Sequence, residues 1–369
     1  MLEVSIQPQW SIRRAGQPEL PVRLIQLLGE IHEHGSLLRA CEVNRGSYRH
    51  AWQLLREAEA ALGQALIRTE RGQGSKLTVL AEKLLWADRR IAARLSPLLH
   101  TLASELEVEL GRVVSPQGAM LRIHASHGFA IEKLEEFLRA DQVPVELKYC
   151  GSQEAVASLA AGSCDVAGFH MPLGAFESLA LAHYARWFKP REQAVVHVAT
   201  RKQGLMVAPG NPKKLYTPAD LMRPNVRFIN RQPASGTRFL FDLMLQRDGV
   251  DARRIDGYER VEYTHAAVAA YVASGMADVG FGVEPPARRF GLEFIPLETE
   301  RYLLLCDAQA LPGPRLQQML VLLRSEPFRA AVDQLPGYDA QGIGAVVEVE
   351  ALLKGPKSRR PSAVPARRR

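Results

Sequence analysis

A segment in the second half of the chain combines residue types that bind anions. Residues 229–238 read INRQPASGTR, between a predicted strand at 226–229 and a predicted helix at 239–246. The start of that helix would present free backbone N–H groups, two hydroxyls and one guanidinium from Ser235, Gly236, Thr237 and Arg238. The segment therefore predicts an anion site, although serine and threonine also begin many ordinary helices.

Further polar residues follow predicted strands or precede predicted helices. They are Ser126, His127, Ser152, His170, Thr264 and His265. Because α/β sheets bind ligands at the carboxyl ends of their strands, these residues are expected to share one cleft with the first segment. Hydroxyls, N–H groups and histidines with one arginine suit a small oxyanion or a carboxylate. The sequence thus predicts a small anionic effector.

A second group of basic and polar residues lies near the N-terminus, at the start of a predicted helix. The group consists of Asn44, Arg45, Ser47, Tyr48, Arg49 and His50. Helix-turn-helix proteins place this end of the helix against DNA base edges, and Arg49 is the best candidate for bidentate contact with guanine. Arg68, Arg71 and Lys76, in a predicted hairpin at 66–78, are expected to meet the DNA backbone or minor groove. A solvated basic surface is the alternative.

The sequence indicates neither a catalytic centre nor a metal site. His124, His127 and His170 have no standard metal-site spacing, and no GxSxG frames Ser235. The nucleotide-loop motifs GxGxxG and GxxxxGK[ST] do not occur. The four cysteines are scattered, which is typical of reduced thiols. We therefore expect a protein that is not an enzyme and has no metal and no cofactor.

The elements that must position these residues divide the chain into parts. Helix, short helix, turn, helix and hairpin predict a winged helix-turn-helix DNA-binding domain over 14–79. A long helical pattern follows at 80–110, which Pro97 is expected to kink or divide. Its apolar stripe consists of Leu84, Ile91, Leu95, Leu98, Leu102 and Leu106. Such a stripe needs a partner, so a linker helix at 80–111 is predicted to hold a dimer.

Beyond a Gly, Ser and Pro-containing linker at 111–118, short strands alternate with helices. This alternation predicts parallel sheets in an α/β fold. Residues 157–168, ASLAAGSCDVAG, resemble residues 270–281, AYVASGMADVGF, which predicts two related lobes facing a cleft. The predicted fold class is α/β overall, with an all-α-rich winged helix-turn-helix and a two-lobed ligand-sensing domain over 118–350.

The net charge of +7 comes from the tail at 354–369, which holds seven basic residues and no acidic one. The rest of the chain is neutral overall, so the charge says little about a DNA-binding fold. The tail is expected to be disordered, and either to attract phosphate non-specifically or to aid solubility. The chain contains neither a signal-peptide pattern nor 18 consecutive apolar residues, which predicts a cytoplasmic protein without a membrane span.

Two family resemblances follow from these motifs. SYRHAW at 47–52 and LIRTERGQGSKLT at 66–78 resemble the winged-helix domain of ModE-type molybdate-responsive regulators and, more distantly, LysR-type regulators. NRQPASGTR at 230–238 and the GxxDV units resemble the type-II periplasmic-binding-protein-like domain, which also accompanies molybdenum-related proteins. The resemblance implies a dimer or tetramer on double-stranded DNA and a ligand between the lobes. It does not carry over molybdate, because the ModE molybdate-binding module is not present.

Three functions remain open on the sequence alone. The first is a transcriptional regulator that senses a molybdate- or tungstate-like oxyanion and controls molybdenum- or tungsten-related genes. The second is a regulator of the same build that senses a small carboxylate such as formate. The third is an enzyme or chaperone of molybdopterin metabolism that carries a DNA-binding-like domain. The helix-turn-helix order and the missing catalytic motifs favour a regulator.

Overall fold

The structure, a computed structural model, describes residues 3–70, 74–114 and 120–353 of the chain. These residues form a helical N-terminal part, one long helix, and an α/β part built on a ten-stranded sheet. The predicted α/β fold class with two lobes is confirmed. Arg71 and the tail at 354–369 lie outside the described residues. None of the described helices is both long and apolar enough to cross a membrane.

Three helices and a hairpin form the N-terminal part, in the order expected from the sequence. They are α1 (Arg23–His34), α2 (Leu37–Val43), α3 (Tyr48–Leu62), β1 (Ile67–Glu70) and β2 (Gly74–Leu77). Ser36 and Ser47 begin α2 and α3, because their hydroxyls accept hydrogen bonds from Arg39 N (3.0 Å) and His50 N (3.4 Å). The apolar faces of the helices and the hairpin close one small core.

A single 36-residue helix, α4 (Val79–Val114), connects this part to the sheet. Pro97 lies inside α4 and does not divide it. Residues 111–114 of the linker expected at 111–118 are helical, and 115–118 lie outside the described residues. Leu84 is buried in the N-terminal core, so the start of the predicted stripe packs within the chain and does not face water.

Each lobe of the α/β part contains a three-stranded parallel layer. The first lobe has β3 (Leu121–Ala125), α5 (Phe129–Ala140), β4 (Val145–Tyr149), α6 (Ser152–Ala160) and β5 (Val166–Pro172). The second has β7 (Phe228–Arg231), α8 (Gly236–Arg247), β8 (Val261–Glu262), α9 (His265–Ala273), β9 (Val279–Val283) and α10 (Glu284–Arg289). Strand β3 pairs with β4 and β5, and β7 pairs with β8 and β9, all in parallel.

Two long strands join the lobes. They are β6 (Gln193–Val207) and β10 (Glu293–Asp307), which pair antiparallel with each other and place Arg201 opposite Glu300. The sequence predicted parallel strands only, so these hinge strands correct that expectation. The remaining elements flank the first lobe and β6: α7 (Glu177–Tyr184), α11 (Pro314–Arg324), α12 (Glu326–Asp333), β11 (Tyr338–Asp339), β12 (Val346–Glu348) and α13 (Val349–Leu353).

The sequence repeat corresponds to two equivalent structural units, α6 with β5 and α9 with β9. In each unit an aspartate just before the strand accepts a hydrogen bond from the backbone N–H of an arginine. Asp165 accepts from Arg122 at 2.9 Å, and Asp278 accepts from Arg227 at 2.8 Å. The same arginine side chains also pair with these carboxylates. The two lobes are thus built alike, as the repeat predicted.

Candidate functional site

A cavity of about 430 Å³ lies between the lobes, at the carboxyl ends of their parallel strands. Three helices begin at it: α6 after Gly151, α8 after Ser235 and α9 after Thr264. A helix start offers unpaired N–H groups and a partial positive charge, so three of them favour an anion. The two lobes approach closely here, since a Cβ on Gly236 would lie 3.6 Å from Ser152 Oγ.

A fully buried ion pair joins the hinge strands beneath the cleft. Arg201 Nη2 lies 2.6 Å from Glu300 Oε1, and both side chains have almost no exposure to solvent. Gln203 Nε2 donates to the same carboxylate oxygen at 2.8 Å and to Thr237 Oγ1 at 3.2 Å. Glu300 therefore pairs directly with Arg201, and its effect on the other buried arginine of the site, Arg231, is exerted from a greater distance.

Arg231, at the end of β7, is a second buried arginine in the cleft wall. Its Nε donates to Gln232 Oε1 at 3.2 Å and its Nη2 donates to the backbone carbonyl of Tyr263 at 3.0 Å. Among the described residues, Nη1 has no hydrogen-bond partner and no carboxylate lies within ion-pair distance. Burial and the like charge of Arg201 lower the pKa of Arg231 to about 9. The guanidinium therefore remains positive at neutral pH and leaves an uncompensated charge that an anion would neutralise.

The two buried histidines of the cleft contribute no charge. Burial, with the charges of Arg201 and Arg231, holds the pKa of His170 and that of His265 well below the usual range. His170 Nε2 lies 3.0 Å from Arg201 Nη2, and because a guanidinium only donates, this nitrogen accepts and the ring proton sits on Nδ1. His265 Nε2 lies 3.4 Å from Thr237 Oγ1. Both rings are neutral hydrogen-bonding groups.

Helix α4 forms a third wall of the cleft, which it reaches with Arg94, Leu95, Pro97 and Leu98. The half of α4 before Pro97 contacts the second lobe. Arg94 Nε lies 3.4 Å from Glu262 Oε2, and Thr264 Oγ1 donates to the backbone carbonyl of Ala93 at 2.9 Å. This half also contacts the N-terminal part, where Arg89 Nη2 lies 3.2 Å from Glu33 Oε1. One segment of α4 therefore contacts both the second lobe and the N-terminal part.

The half of α4 after Pro97 contacts the first lobe. Thr101 Oγ1 and Ser104 Oγ each accept a hydrogen bond at 3.0 Å from edge strand β4, from the backbone N–H of Tyr149 and of Leu147. These hydroxyls cover N–H groups that an edge strand would otherwise leave unpaired. Helix α4 therefore bridges the lobes, with Pro97 at the cleft between them.

The predicted DNA-contacting residues of the N-terminal part lie on its surface. Those around the start of α3 are all exposed: Asn44, Arg45, Ser47, Tyr48, Arg49 and His50. The ring of Tyr48 stacks on Trp52, with the ring centroids 6.3 Å apart. In the hairpin, Arg68 and Lys76 are exposed and stand opposite each other on β1 and β2. Both predicted groups are thus exposed to solvent, while Arg71 lies outside the described residues.

Residues 134–324, just over half of the chain, match the family model of the PBP superfamily domain. The chain belongs to the PBP superfamily. An uncharacterised protein from the 5′ region of a 2Fe-2S ferredoxin gene of Clostridium pasteurianum is 34% identical over 109 residues, 29% of this chain and 96% of that protein. The uncharacterised protein YvgK of Bacillus subtilis is 32% identical over 202 residues, 54% of this chain. The chain spans 64% of the length of YvgK.

Solved structures similar to this chain are distant. CbnR, a LysR family transcriptional regulator, matches with a TM-score of 0.37 and 17% identity over 81% of this chain and 98% of its own. OxyR of Corynebacterium glutamicum matches with a TM-score of 0.43 and 13% identity, over 94% of this chain and 100% of its own. A putative phosphate transporter substrate-binding protein of Clostridium perfringens matches with a TM-score of 0.44 and 13% identity. The match covers 61% of this chain and 98% of that protein. Nothing about ligand or partner follows from likeness at this level.

The PBP-type cleft contains most of the ligand-binding residues predicted from the sequence. Those that line it are Ser126, His127, Ser152, His170, Ser235, Gly236, Thr237, Thr264 and His265. Four of the lining hydroxyls also have protein partners. Ser235 Oγ accepts from Arg238 N at 3.1 Å and Thr237 Oγ1 accepts from Gln203 Nε2, while Thr264 Oγ1 donates to the carbonyl of Ala93 and Ser126 Oγ donates to that of Gly168 at 3.4 Å. His127 Nε2 lies 2.7 Å from Glu132 Oε1.

The position of Arg238 differs from the one that the sequence predicts. It was expected to supply the charge of the site, yet it does not line the cavity. Its Nε donates to Asp242 Oδ1 at 2.9 Å, and its guanidinium lies 4.0 Å from the centre of the Tyr258 ring. The carboxylate of Asp242, one helical turn further along α8, and the ring of Tyr258 together hold the guanidinium outside the cavity.

Sequence reasoning missed the charge of Arg231 and the wall formed by α4. Arg231 belongs to the same 229–238 segment and ends β7, so its place at a strand carboxyl end was the available signal. Tyr149 has the same signal, since it ends β4. Apart from Pro97, the sequence of α4 carries no local signal that the helix lines the cleft. The contacts of α4 with the two lobes join residues that are far apart in the chain.

Proposed function

We propose that this PBP superfamily member is a DNA-binding transcriptional regulator that responds to a small anion in its interlobe cleft. One observation carries the proposal: the continuous helix α4 packs into the core of the helix-turn-helix part at one end and lines the cleft in its middle. A ligand in the cleft would thus touch the helix that holds the DNA-contacting part.

The anion preference is supported by the charge balance of the cleft. Arg201 and Glu300 neutralise each other, the two buried histidines are neutral, and Arg231 keeps one positive charge without a partner among the described residues. The first candidates are molybdate and tungstate, with regulation of molybdenum- or tungsten-related genes, and formate is the alternative. The donors are hydroxyls, helix N–H groups and one guanidinium, so the effector binds without a cofactor.

The DNA side of the proposal rests on the exposed surface around α3 and the β1–β2 hairpin. The start of α3 carries Arg45, Arg49 and His50, which suits insertion into the major groove. Arg68 and Lys76 on the hairpin suit backbone contacts. The target is therefore double-stranded DNA.

Signal transmission follows from the two halves of α4. The half before Pro97 is tied to the second lobe and to the helix-turn-helix, and the half after Pro97 is tied to the first lobe. An anion that binds the closed lobes more tightly would shift the population toward closure and change the angle between the halves. Proline tolerates such bending because it lacks the N–H that would stiffen the helix.

The homo-oligomer is supported by leucines that remain exposed on α4. Leu102, Leu106 and Leu110 follow one another every four residues and are between 40% and 46% exposed. Such a row forms one stripe on a helix and packs well against the same stripe of a second copy. A two-fold dimer would present two recognition helices to two half-sites, and a tetramer would repeat this arrangement.

The decisive experiment selects DNA from a randomised duplex library with the full-length protein, and then measures affinity for the selected duplex with and without anions. Molybdate, tungstate, formate, sulfate and phosphate are the probes. The proposal requires enrichment of one sequence and at least about a fivefold change in its affinity with one of the anions. The proposal is wrong if the protein enriches no sequence. It is also wrong if none of the anions that the protein binds changes its affinity for the selected duplex.

A further inference from the structure

The cleft is larger and more apolar than an inorganic anion requires. Building on the anion site of the proposed function, we infer that the ligand is an organic anion with a ring-sized apolar body. Its carboxylate or phosphate group binds at Arg231 and the helix starts, and its apolar body packs against α4. Molybdate, tungstate and formate then resemble only the charged end of the ligand.

The size of the cavity is the first argument. Its volume is about 430 Å³, within the range of about 300–1,000 Å³ that holds drug-sized ligands. A water molecule occupies about 30 Å³ in the liquid, and formate or a tetrahedral oxyanion displaces only a few waters. Most of the cavity would stay filled with water around such an anion.

The chemistry of the wall is the second argument. Helix α4 contributes the apolar side chains Leu95, Pro97 and Leu98, and the lobes contribute the rings of Tyr149 and Tyr263. An inorganic oxyanion gains nothing from the three apolar side chains or from the faces of the two rings. A ring-sized body would bury them, and apolar burial is favourable in proportion to the area removed from water.

The exposure of these side chains is the third argument. Leu98 is 56% exposed and Tyr263 is 50% exposed, although both line the cavity. Large apolar side chains at the wall of a concave site favour a ligand that covers them. Leu95 lies beside Leu98 on α4, so such a ligand would touch the helix that leads to the DNA-contacting part.

The test compares matched pairs of anions by calorimetry on the full-length protein: inorganic phosphate with phenyl phosphate, and formate with benzoate. Each methylene-sized apolar group that becomes buried strengthens binding about fourfold, so the ring-bearing member of each pair should bind at least about tenfold more tightly. Leu95→Ala should remove most of that difference and leave the affinity for inorganic phosphate and formate unchanged. Leu179→Ala, an exposed leucine on α7 that lies outside both the cavity wall and the leucine stripe of α4, is the control and should change neither.

The outcomes separate this inference from the proposed function. If the anions bind, Arg231→Gln weakens them, and the ring-bearing members gain nothing, the organic ligand is wrong while the anion sensor stands. If the ring-bearing members gain but Leu95→Ala leaves the gain intact, the apolar body does not lie on α4 and the inference fails. If Arg231→Gln has no effect on any of the four, or none of them binds, the anion site itself is wrong and the inference falls with it.

Discussion

The side-chain hydroxyl of Thr264 donates to the backbone carbonyl of Ala93 at 2.9 Å. Ala93 is four residues before Pro97, so its carbonyl has lost the helical N–H that would normally bind it. The same hydroxyl accepts from Ala267 N at 2.9 Å and thereby begins α9. One threonine thus completes the hydrogen bonding of α4 at its proline and ties that point to a helix start in the cleft.

Replacing Thr264 with valine keeps the side-chain shape and removes this bond. Because the carbonyl of Ala93 then has no donor and α9 loses its capping hydroxyl, we expect the free energy of unfolding to fall by about 1–3 kcal/mol. Any effect of the anion on DNA affinity should also shrink, since the tie between α4 and the second lobe is lost. Urea unfolding and fluorescence anisotropy with labelled duplex measure the two effects.

A double-mutant cycle assigns the effect to the carbonyl. Pro97→Ala supplies an N–H that can bind Ala93, so Thr264→Val should cost less stability in the Pro97→Ala background than in the wild type. Thr264→Ser, which retains the hydroxyl, should behave as wild type. Equal costs of Thr264→Val in both backgrounds would show that the bond to Ala93 does not matter.

Arg231→Gln should act in opposite directions on anion affinity and on stability. Hydrogen bonds to charged groups contribute about 1.5–3 kcal/mol, so anion affinity should fall about 10- to 100-fold. The ligand-free protein should be as stable as the wild type or more so, because an unpaired buried charge is removed. Calorimetry measures the anion affinity, and thermal unfolding measures the stability. Arg238→Gln is the control: the Arg238 side chain binds Asp242 outside the cavity, so this variant should keep wild-type affinity.

Anion affinity should depend on pH through Arg231. The pKa of this guanidinium is lowered to about 9, so the charge is complete at pH 6–8 and is lost as the pH rises through 9. Affinity for formate, which stays ionised throughout, should be constant below about pH 8 and fall about tenfold per pH unit well above 9. Calorimetry from pH 6 to 10 gives the profile. The residual binding of Arg231→Gln should lack the alkaline fall, and a wild-type profile that stays flat to pH 10 would contradict the role of Arg231.

The dimer can be tested on the exposed leucines of α4. Glutamates at Leu102 and Leu106 would bring four like charges together in a two-fold interface, so the double variant should be monomeric by light scattering at micromolar concentration. Leu179→Glu, an equally exposed leucine on α7, is the control and should leave the assembly unchanged. A wild-type protein that is already monomeric would exclude this interface.

Arg49 and Arg68 should have different effects on DNA binding. Arg49→Ala is expected to lower discrimination between the selected duplex and random DNA by about 1–3 kcal/mol, because a base contact is lost. Arg68→Ala should weaken binding to both by a similar factor and reduce the salt dependence, because a phosphate contact is lost. Electrophoretic titration at two salt concentrations distinguishes them, and equal loss on both DNAs for Arg49→Ala would exclude base reading.

Local signals predicted much of the fold. The caps Ser36 and Ser47, the alternation of strands and helices, and the repeated segments at 157–168 and 270–281 each lie within one element or two consecutive ones. They were therefore visible in the sequence. The hinge strands β6 and β10 were not, because their antiparallel pairing joins residues about a hundred positions apart.

The candidate site shows the same division. Its position at the carboxyl ends of the strands, and the helix starts at Ser152, Ser235 and Thr264, follow from the sequence, because the succession of strands and helices along the chain and the helix caps are local properties. Which arginine supplies the charge was decided only by tertiary structure. Arg238 pairs with Asp242, four residues further along its own helix, whereas Arg231 is buried near Arg201 of another strand. Whether a charged side chain stays unpaired depends on every neighbour that folding brings to it, and most of those neighbours are distant in the chain.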